Sequence, residues 1–293
     1  MNILEEGVLL LCCRLGEPIK PLTLTQFKDL GVRVRTCGIE PDRLAFLHAS
    51  DLRQLGYEEQ MAEHILHLLS RRKALEAYLA RAERLGIYAL TRVSQGYPGR
   101  ITQKLSASRP PALFAMGDSS LLDRPAIAVV GSRDLRPENR AFAETVGQLI
   151  AREGFVLVSG GARGADSAAQ QACLDAGGSC IVFLPDRLDV RTPKERVLYL
   201  SAEGYDFPFT SARALYRNKL IHMSCEKAFA AQCTYGQGGT WQGCTENLKH
   251  GWSELFVFDD GSQAMAELIR RGAEPVSRLS RISPVSAMQT TLF

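Results

Sequence analysis

The chain has 293 residues, 45% of them hydrophobic, a net charge of +3 and a sequence pI of about 8.4, ordinary values for a globular protein of one large domain or two smaller ones. No apolar run approaches a membrane span, and VLLLCC (8–13) lacks both a basic segment before it and a small-residue cleavage site after it, so a cytoplasmic protein without a membrane partner is expected. Eight cysteines (Cys12, Cys13, Cys37, Cys173, Cys180, Cys225, Cys233, Cys244) at irregular spacing, with no CxxC pair or Cys/His ligand set, argue against disulfides and metal sites.

Residues 1–84 carry helical periods and no convincing strand. LTLTQFKDLG and ASDLRQLGYEEQMAEHIL read as short helices between glycine turns. From there to LARAERLG, helical spacing continues through Met61, Ile65, Leu68 and Leu69. This pattern fits a helix-hairpin-helix or SAM-like module, or a helical packing domain without nucleic-acid contact. Residues 97–122 form a Pro/Gly/Ser-punctuated connection ending in a strand candidate at 112–116. The stretch from Leu85 to Arg140 has eight Arg/Lys against four acids, a local excess of +4.

Strands then alternate with helices. AIAVV (126–130), FVLVS (155–159) and CIVFL (180–184) are short apolar runs of the kind found in parallel strands covered on both faces. One intervening helix carries an apolar stripe at Phe142, Val146, Leu149 and Ile150. The next offers Ala165, Ala168, Ala169 and Ala172, small enough for close packing on a sheet. EKAFAAQ (226–232) and ELFVF (254–258) are further strand candidates, and SQAMAELIRRGA is a last helix ended by Gly272. The expected fold is α/β: a Rossmann-like, doubly wound parallel sheet over 85–276, preceded by the all-helical 1–84 and followed by a tail, 277–293.

In such a sheet, ligands lie beyond the carboxyl ends of the strands. Three glycine-bearing loops are expected there: Gly131-Ser132-Arg133, Gly160-Gly161-Ala162-Arg163-Gly164 and Gly236-Gln237-Gly238-Gly239-Thr240. Each is expected to open a helix whose N-terminus favours an anion. GxGxxG and GxxxxGK[ST] are both absent, which disfavours NAD and a Walker-type ATPase. Arg133 and Arg163, with Arg217 and Lys219 of ALYRNKLIH, instead suit a polyanion. The competing reading is that the glycines serve only tight turns and that Arg133 pairs with Asp134 or Glu138. Tyr216, Tyr235 and Trp241 are candidates for base stacking or for the core.

Several of these segments, in order from about Ala80 to Val276, resemble the DNA-processing protein A (DprA/Smf) family. They are LGIYALTRVSQGYPGRITQKLSASRPPALFAMGDSSLLDRPAIAVVGSRD, GFVLVSGGARGADSAAQQACLDAGG and YRNKLIHMS. The resemblance implies a non-enzymatic, single-stranded DNA-binding protein that helps load a RecA-type recombinase in natural transformation or related recombination, self-associates as a homodimer and needs no cofactor. It implies DNA contacts at Arg133, Arg163, Arg217, Asn218 and Lys219, and no catalytic residue. Lys219 stands where the family has a second arginine, Gln170 where it usually has histidine, and CTYGQGGTWQGCTENLKHG replaces a Ser-Gly-Ser-leucine loop. A winged helix of many members is missing from the sequence given, so the chain reads as a divergent member, with phage defence as one setting.

The GGT loop also resembles a wider superfamily that includes phosphoribohydrolases, which gives two alternatives: a nucleotide-binding sensor, or an enzyme hydrolysing an N-glycosidic bond. The hydrolase needs a carboxylate near the loop. Gly243 stands where its glutamate belongs, and Glu246 is the nearest substitute. Finally, QTTLF at 289–293 resembles peptides that dock on the replication sliding clamp, with Gln289, Leu292 and Phe293 as contacts.

Overall fold

The computed structural model describes residues 1–282. Helix α1 (Ile3–Cys12) begins with a capping box: the Asn2 side chain accepts from the Glu5 N–H at 2.9 Å while the Glu5 carboxylate accepts from the Asn2 N–H at 2.7 Å. Its apolar run lies in the core, with Gly7 to Cys12 all buried, which accounts for VLLLCC without a membrane. Helices α2 (Leu24–Thr36), α4 (Glu59–Leu69) and α5 (Arg72–Arg84) pack against it, and α3 (Ala49–Gln54) packs on α4.

The continuous helical period read through 57–86 is broken at Ser70-Arg71. Arg71 is only 6% exposed. Its guanidinium donates to the carbonyls of Leu10, of Cys13 at 2.9 Å and of Arg14 at 3.0 Å, satisfying the orphan acceptors at the end of α1. A tertiary hydrogen-bonding task thus overrides the local helical pattern.

The remaining elements are β1 (Ile87–Thr91), α6 (Gly99–Leu105), β2 (Ala112–Met116), β3 (Ala126–Val130), α7 (Pro137–Arg152), β4 (Val156–Ser159), α8 (Ala165–Asp175), β5 (Ser179–Leu184), β6 (Val197–Ala202), α9 (Ser211–Met223), β7 (Lys227–Ala230), α10 (Gly238–His250), β8 (Glu254–Phe258), α11 (Gln263–Arg270) and β9 (Glu274–Val276). They form one nine-stranded sheet in the order β1-β2-β6-β5-β4-β3-β7-β8-β9. The β1/β2 and β2/β6 pairs are antiparallel and all others parallel, so the expected Rossmann-like α/β sheet is present with a short antiparallel margin. Strands β1, β6 and β9 are additional to the sequence reading.

Helices α7 and α8 and the N-terminal helices share one apolar cluster with the sheet, and α6, α9, α10 and α11 share the other. The N-terminal helices dock through aromatic and polar contacts together. Tyr78 stacks on the fully buried Tyr205 at 4.2 Å between ring centroids, and Phe114 meets both rings edge-on. The Tyr205 hydroxyl donates to the Tyr78 carbonyl at 2.9 Å, and the Tyr78 hydroxyl donates to Asp206 at 2.9 Å. No helix among the described residues is long and apolar enough to cross a membrane.

After β3 the chain proceeds through β4, β5 and β6 on one side, then returns to place β7 on the other. That reversal beside β3 leaves a crevice at the strand ends.

Candidate functional site

A cavity of about 640 Å³ occupies this crevice. Its walls come from the ends of β3 and β7, the segment before α9, one face of α9 and the start of α10. Of the residues expected from the sequence, Gly131, Ser132, Arg133, Arg217, Asn218, Gly239 and Thr240 line it. Gly160, Gly161, Arg163, Gly164 and Lys219 do not.

The reasons are local. Asp166, in the first turn of α8, turns its carboxylate back to accept from the Gly160 N–H at 3.0 Å and the Ala162 N–H at 3.2 Å. An internal anion therefore takes the backbone donors that the sequence reading offered to a phosphate. Gly160 instead leaves room for Arg217: a Cβ there would lie 1.1 Å from its Nη1, so the guanidinium would have to move. Gly164, at φ +81°, brings its backbone against the Ser132 carbonyl, where a Cβ would sit 2.2 Å away. The two glycine loops are thus knit to each other, a role legible only once the strands are placed.

Two of the three helix N-termini also differ from expectation. Helix α7 starts at Pro137, beyond the Gly131 loop, and α8 carries Asp166 at its own N-terminus. Helix α10 does open into the cavity: Gln237, Gly238, Gly239 and Thr240 line it, and no side chain caps its amides. The Asn218 side chain holds this loop by donating to the Gly239 carbonyl at 3.0 Å.

Three cations stand at different depths. Arg133 is exposed on the cavity wall and makes no hydrogen bond or ion pair with any described residue. Asp134 and Glu138, the partners considered for it, pair instead with Arg163 at 3.7 Å and Arg136 at 3.4 Å. Arg163 is at the surface, its side chain 80% exposed. Arg217 lies on the floor, 9% exposed, with Nη1 at 3.7 Å from the Asp166 carboxylate. Burial lowers the Arg217 pKa, and the Asp166 charge works against that; burial likewise raises the Asp166 pKa, opposed by Arg217 and the two backbone donors. Lys219 does not face the cavity with them but pairs with Glu246 at 3.2 Å. That pairing also occupies the carboxylate the hydrolase alternative needs, and Glu246 is not among the lining residues.

Three of the lining residues that sequence reasoning missed bear on the chemistry of the cavity. Phe209, 50% exposed, presents an aromatic surface. His222, 1% exposed, has a buried Nδ1 without a hydrogen-bond partner among the described residues, as has Arg217 at Nε. Burial and the Lys104 charge depress the His222 pKa to about 4, so the ring is neutral at physiological pH. Asp166 is the third, and its position two residues after GARG was the available signal. Of the aromatics expected from the sequence, Trp241 is buried against Tyr235 at 5.0 Å, Tyr235 is exposed, and Tyr216 is partly buried in the core. Among the described residues no His/Cys/Asp/Glu cluster is placed to hold a metal.

The family model for DNA recombination-mediator protein A matches residues 88–285. DNA processing protein DprA of Streptococcus pneumoniae is 30% identical over 196 residues, which is 62% of this chain and 68% of that protein. Protein Smf of Escherichia coli K12 is 29% identical over 143 residues, 49% of this chain and 37% of its own length. Among solved structures, that of DprA from Streptococcus pneumoniae superposes with a TM-score of 0.72 at 24% identity, covering 94% of this chain and 95% of its own. A structure of DNA processing protein A from Helicobacter pylori, whose title concerns its single-stranded DNA binding mode, gives 0.56 at 25% identity, covering 66% of this chain and 91% of its own.

Proposed function

This chain belongs to the DNA recombination-mediator protein A family, and from that premise we propose that it binds single-stranded DNA in the crevice at the ends of β3, β4 and β7. The observation that carries the reading is Arg133: an exposed guanidinium without a partner among the described residues, on the wall of a cavity that also receives the open N-terminus of α10. An unpaired cation beside free backbone donors suits a sugar-phosphate chain. Arg133 and Arg163 contact phosphates in this reading. The Gly239-Thr240 turn adds backbone donors, Asn218 fixes that turn, Phe209 offers a face to a base, and Arg217 with Asp166 shapes the floor. Lys219 contributes only if it leaves Glu246.

The sequence of a related solved protein, 25% identical, is described as a single-stranded DNA binder, which supports the same reading for this chain. We further propose that the strand is held in the cytoplasm for a RecA-type recombinase and that two copies of the chain act together. In this reading residues 85–276 bind the strand and 1–84 support them. The proposed sliding-clamp contacts Gln289, Leu292 and Phe293 lie outside the described residues.

Mobility shifts with single-stranded and duplex DNA at two salt concentrations test the reading. The single strand is expected to bind more tightly, and Arg133→Ala to weaken it and to reduce the salt slope by about 0.7, one phosphate's share. Equal affinity for both nucleic acids, or an unchanged slope in a folded Arg133→Ala protein, would remove the crevice from consideration.

A further inference from the structure

A second cavity, of about 380 Å³, lies where the N-terminal helices meet the segment between β6 and α9. That volume is within the ~300–1,000 Å³ of small-molecule sites. Arg14, Lys20, Glu203, Phe207, Thr210 and Arg213 line it, together with an apolar wall from the N-terminal helices. It adjoins the first cavity along the chain: Phe209 lines the crevice, while its neighbours Pro208 and Thr210 line the second cavity. Consecutive Cα atoms are ~3.8 Å apart, so one thin partition separates the two spaces.

Glu203 is the unusual residue of this cavity. It adopts φ +66°, left-handed backbone that is strained for a non-glycine residue. Its N–H is anchored to the Ala112 carbonyl at 3.0 Å, yet its carboxylate makes no hydrogen bond or ion pair with any described residue. Burial raises its pKa and so disfavours the charged form, while the Arg213 charge and any hydrogen-bond donors brought by a ligand act the other way. Arg213 is held flat. It donates to the carbonyls of Pro185 at 3.2 Å and Ala202 at 3.1 Å, and its guanidinium lies 4.3 Å over the Phe207 ring. Guanidinium planes and aromatic rings are the surfaces on which unstacked bases rest. Arg14 and Lys20 are exposed cations at the same cavity.

We propose that this cavity is a guanine-selective subsite, which takes one base of the bound strand with its Watson–Crick edge on the Glu203 carboxylate. The inference rests on the strand-binding reading for the origin of the base, but its chemistry stands on the cavity alone. Guanine presents N1–H and N2–H side by side, matching the two acceptor oxygens of an ionised carboxylate. Adenine and cytosine set a ring acceptor beside their exocyclic donor, and thymine flanks its single N–H with carbonyls, so each would aim oxygen or nitrogen lone pairs at Glu203. The neighbouring cations offset the carboxylate's repulsion of the phosphate.

Calorimetric titration of the full chain with dGMP, dIMP and dTMP tests this directly. A bidentate contact discriminates by roughly tenfold or more, so dGMP should bind most tightly, dTMP least, and dIMP, which lacks the exocyclic amine, in between. Glu203→Gln should bring dGMP down to the level of dTMP. Glu203→Gly, which relieves the backbone strain and so keeps the fold, should do the same. Equal binding of dGMP and dTMP by the unaltered chain, no measurable binding of either at millimolar concentration, or a dGMP preference that survives in Glu203→Gln, would each overturn the assignment. Oligothymidylate titrations of the unaltered chain and Arg133→Ala separately judge the crevice, so either reading fails without the other.

Discussion

The seam that fastens the N-terminal helices to the sheet and the crevice at the strand ends are both polar interiors, and they are built on opposite terms. Beside the seam, within the N-terminal helices, Arg71 satisfies three carbonyls from α1 and the turn after it, and at the seam itself Tyr78, Tyr205 and Asp206 exchange hydrogen bonds around stacked rings. In the crevice, Arg133 has no partner among the described residues, and Arg217 Nε and His222 Nδ1 are buried without one. A buried polar group without a partner costs about 1–3 kcal/mol. The seam therefore has the character of a structural joint, and the crevice that of a surface whose polar groups await another molecule.

The largest effect that would sharpen this contrast is expected from Arg71→Met. Removing one side chain leaves several buried carbonyls unsatisfied at the end of α1, and hydrogen bonds to a charged donor contribute about 1.5–3 kcal/mol each. We expect a loss of about 3–5 kcal/mol in denaturant unfolding, with single-strand affinity unchanged where the protein is still folded. A mild loss would mean that water replaces the guanidinium and that the end of α1 is less closed than its geometry indicates.

Next comes the pH dependence of the crevice floor. His222 has a folded pKa of about 4, below its ordinary value of 6.5. The unfolded chain therefore takes up this proton first as pH falls, so the stability that the neutral ring contributes is present above pH 6.5 and lost on the way to pH 4. At ~1.4 kcal/mol per pKa unit, about 3 kcal/mol should disappear across that window. His222→Leu should flatten that part of the stability curve. An identical curve would show that the ring is reached by solvent and is not the buried neutral base described above.

Tyr205→Phe is expected to cost less, about 1 kcal/mol in thermal or denaturant unfolding, because it deletes one buried hydroxyl donor while the Tyr78 carbonyl, inside α5, keeps its helical partner and the stacked rings remain. A change in strand binding as large as that of Arg133→Ala would break the division between joint and crevice.

The two regions were unequally legible in the sequence. Uninterrupted apolar runs such as Ala126–Val130 name parallel strands because both faces must be covered, and the structure has them at those positions. Val197–Ala202 carries a similar signal behind the charged RTPKER stretch. What makes it a strand between β2 and β5 is pairing with residues far along the chain, which no local window contains. The joints of the N-terminal helices were illegible for the same reason, since Arg71 sits in a helical period with its partners near residues 10–14, and Tyr78 meets partners at 205 and 206. At the crevice, the glycines were visible but their purpose was not. A glycine that admits a phosphate and one that admits an arginine side chain read alike, and Gly160 is of the second kind.

The smallest expected effect concerns Lys219, and it tests whether cations near the crevice act by position or merely by charge. Lys219 lies on α9 two residues beyond Arg217, but its ammonium is 3.2 Å from Glu246 and its side chain 38% exposed, away from the cavity wall. Partly exposed pairs of this kind contribute at most about 1 kcal/mol. Lys219→Ala should then leave stability nearly unchanged and the salt slope of strand binding close to that of the unaltered chain, whereas Arg133→Ala lowers the slope by about 0.7. Should Lys219→Ala match Arg133→Ala, the strand must draw the lysine off Glu246 when it binds. Glu246→Gln would then strengthen binding by freeing the same ammonium, and the path of the strand would extend along α9 toward α10.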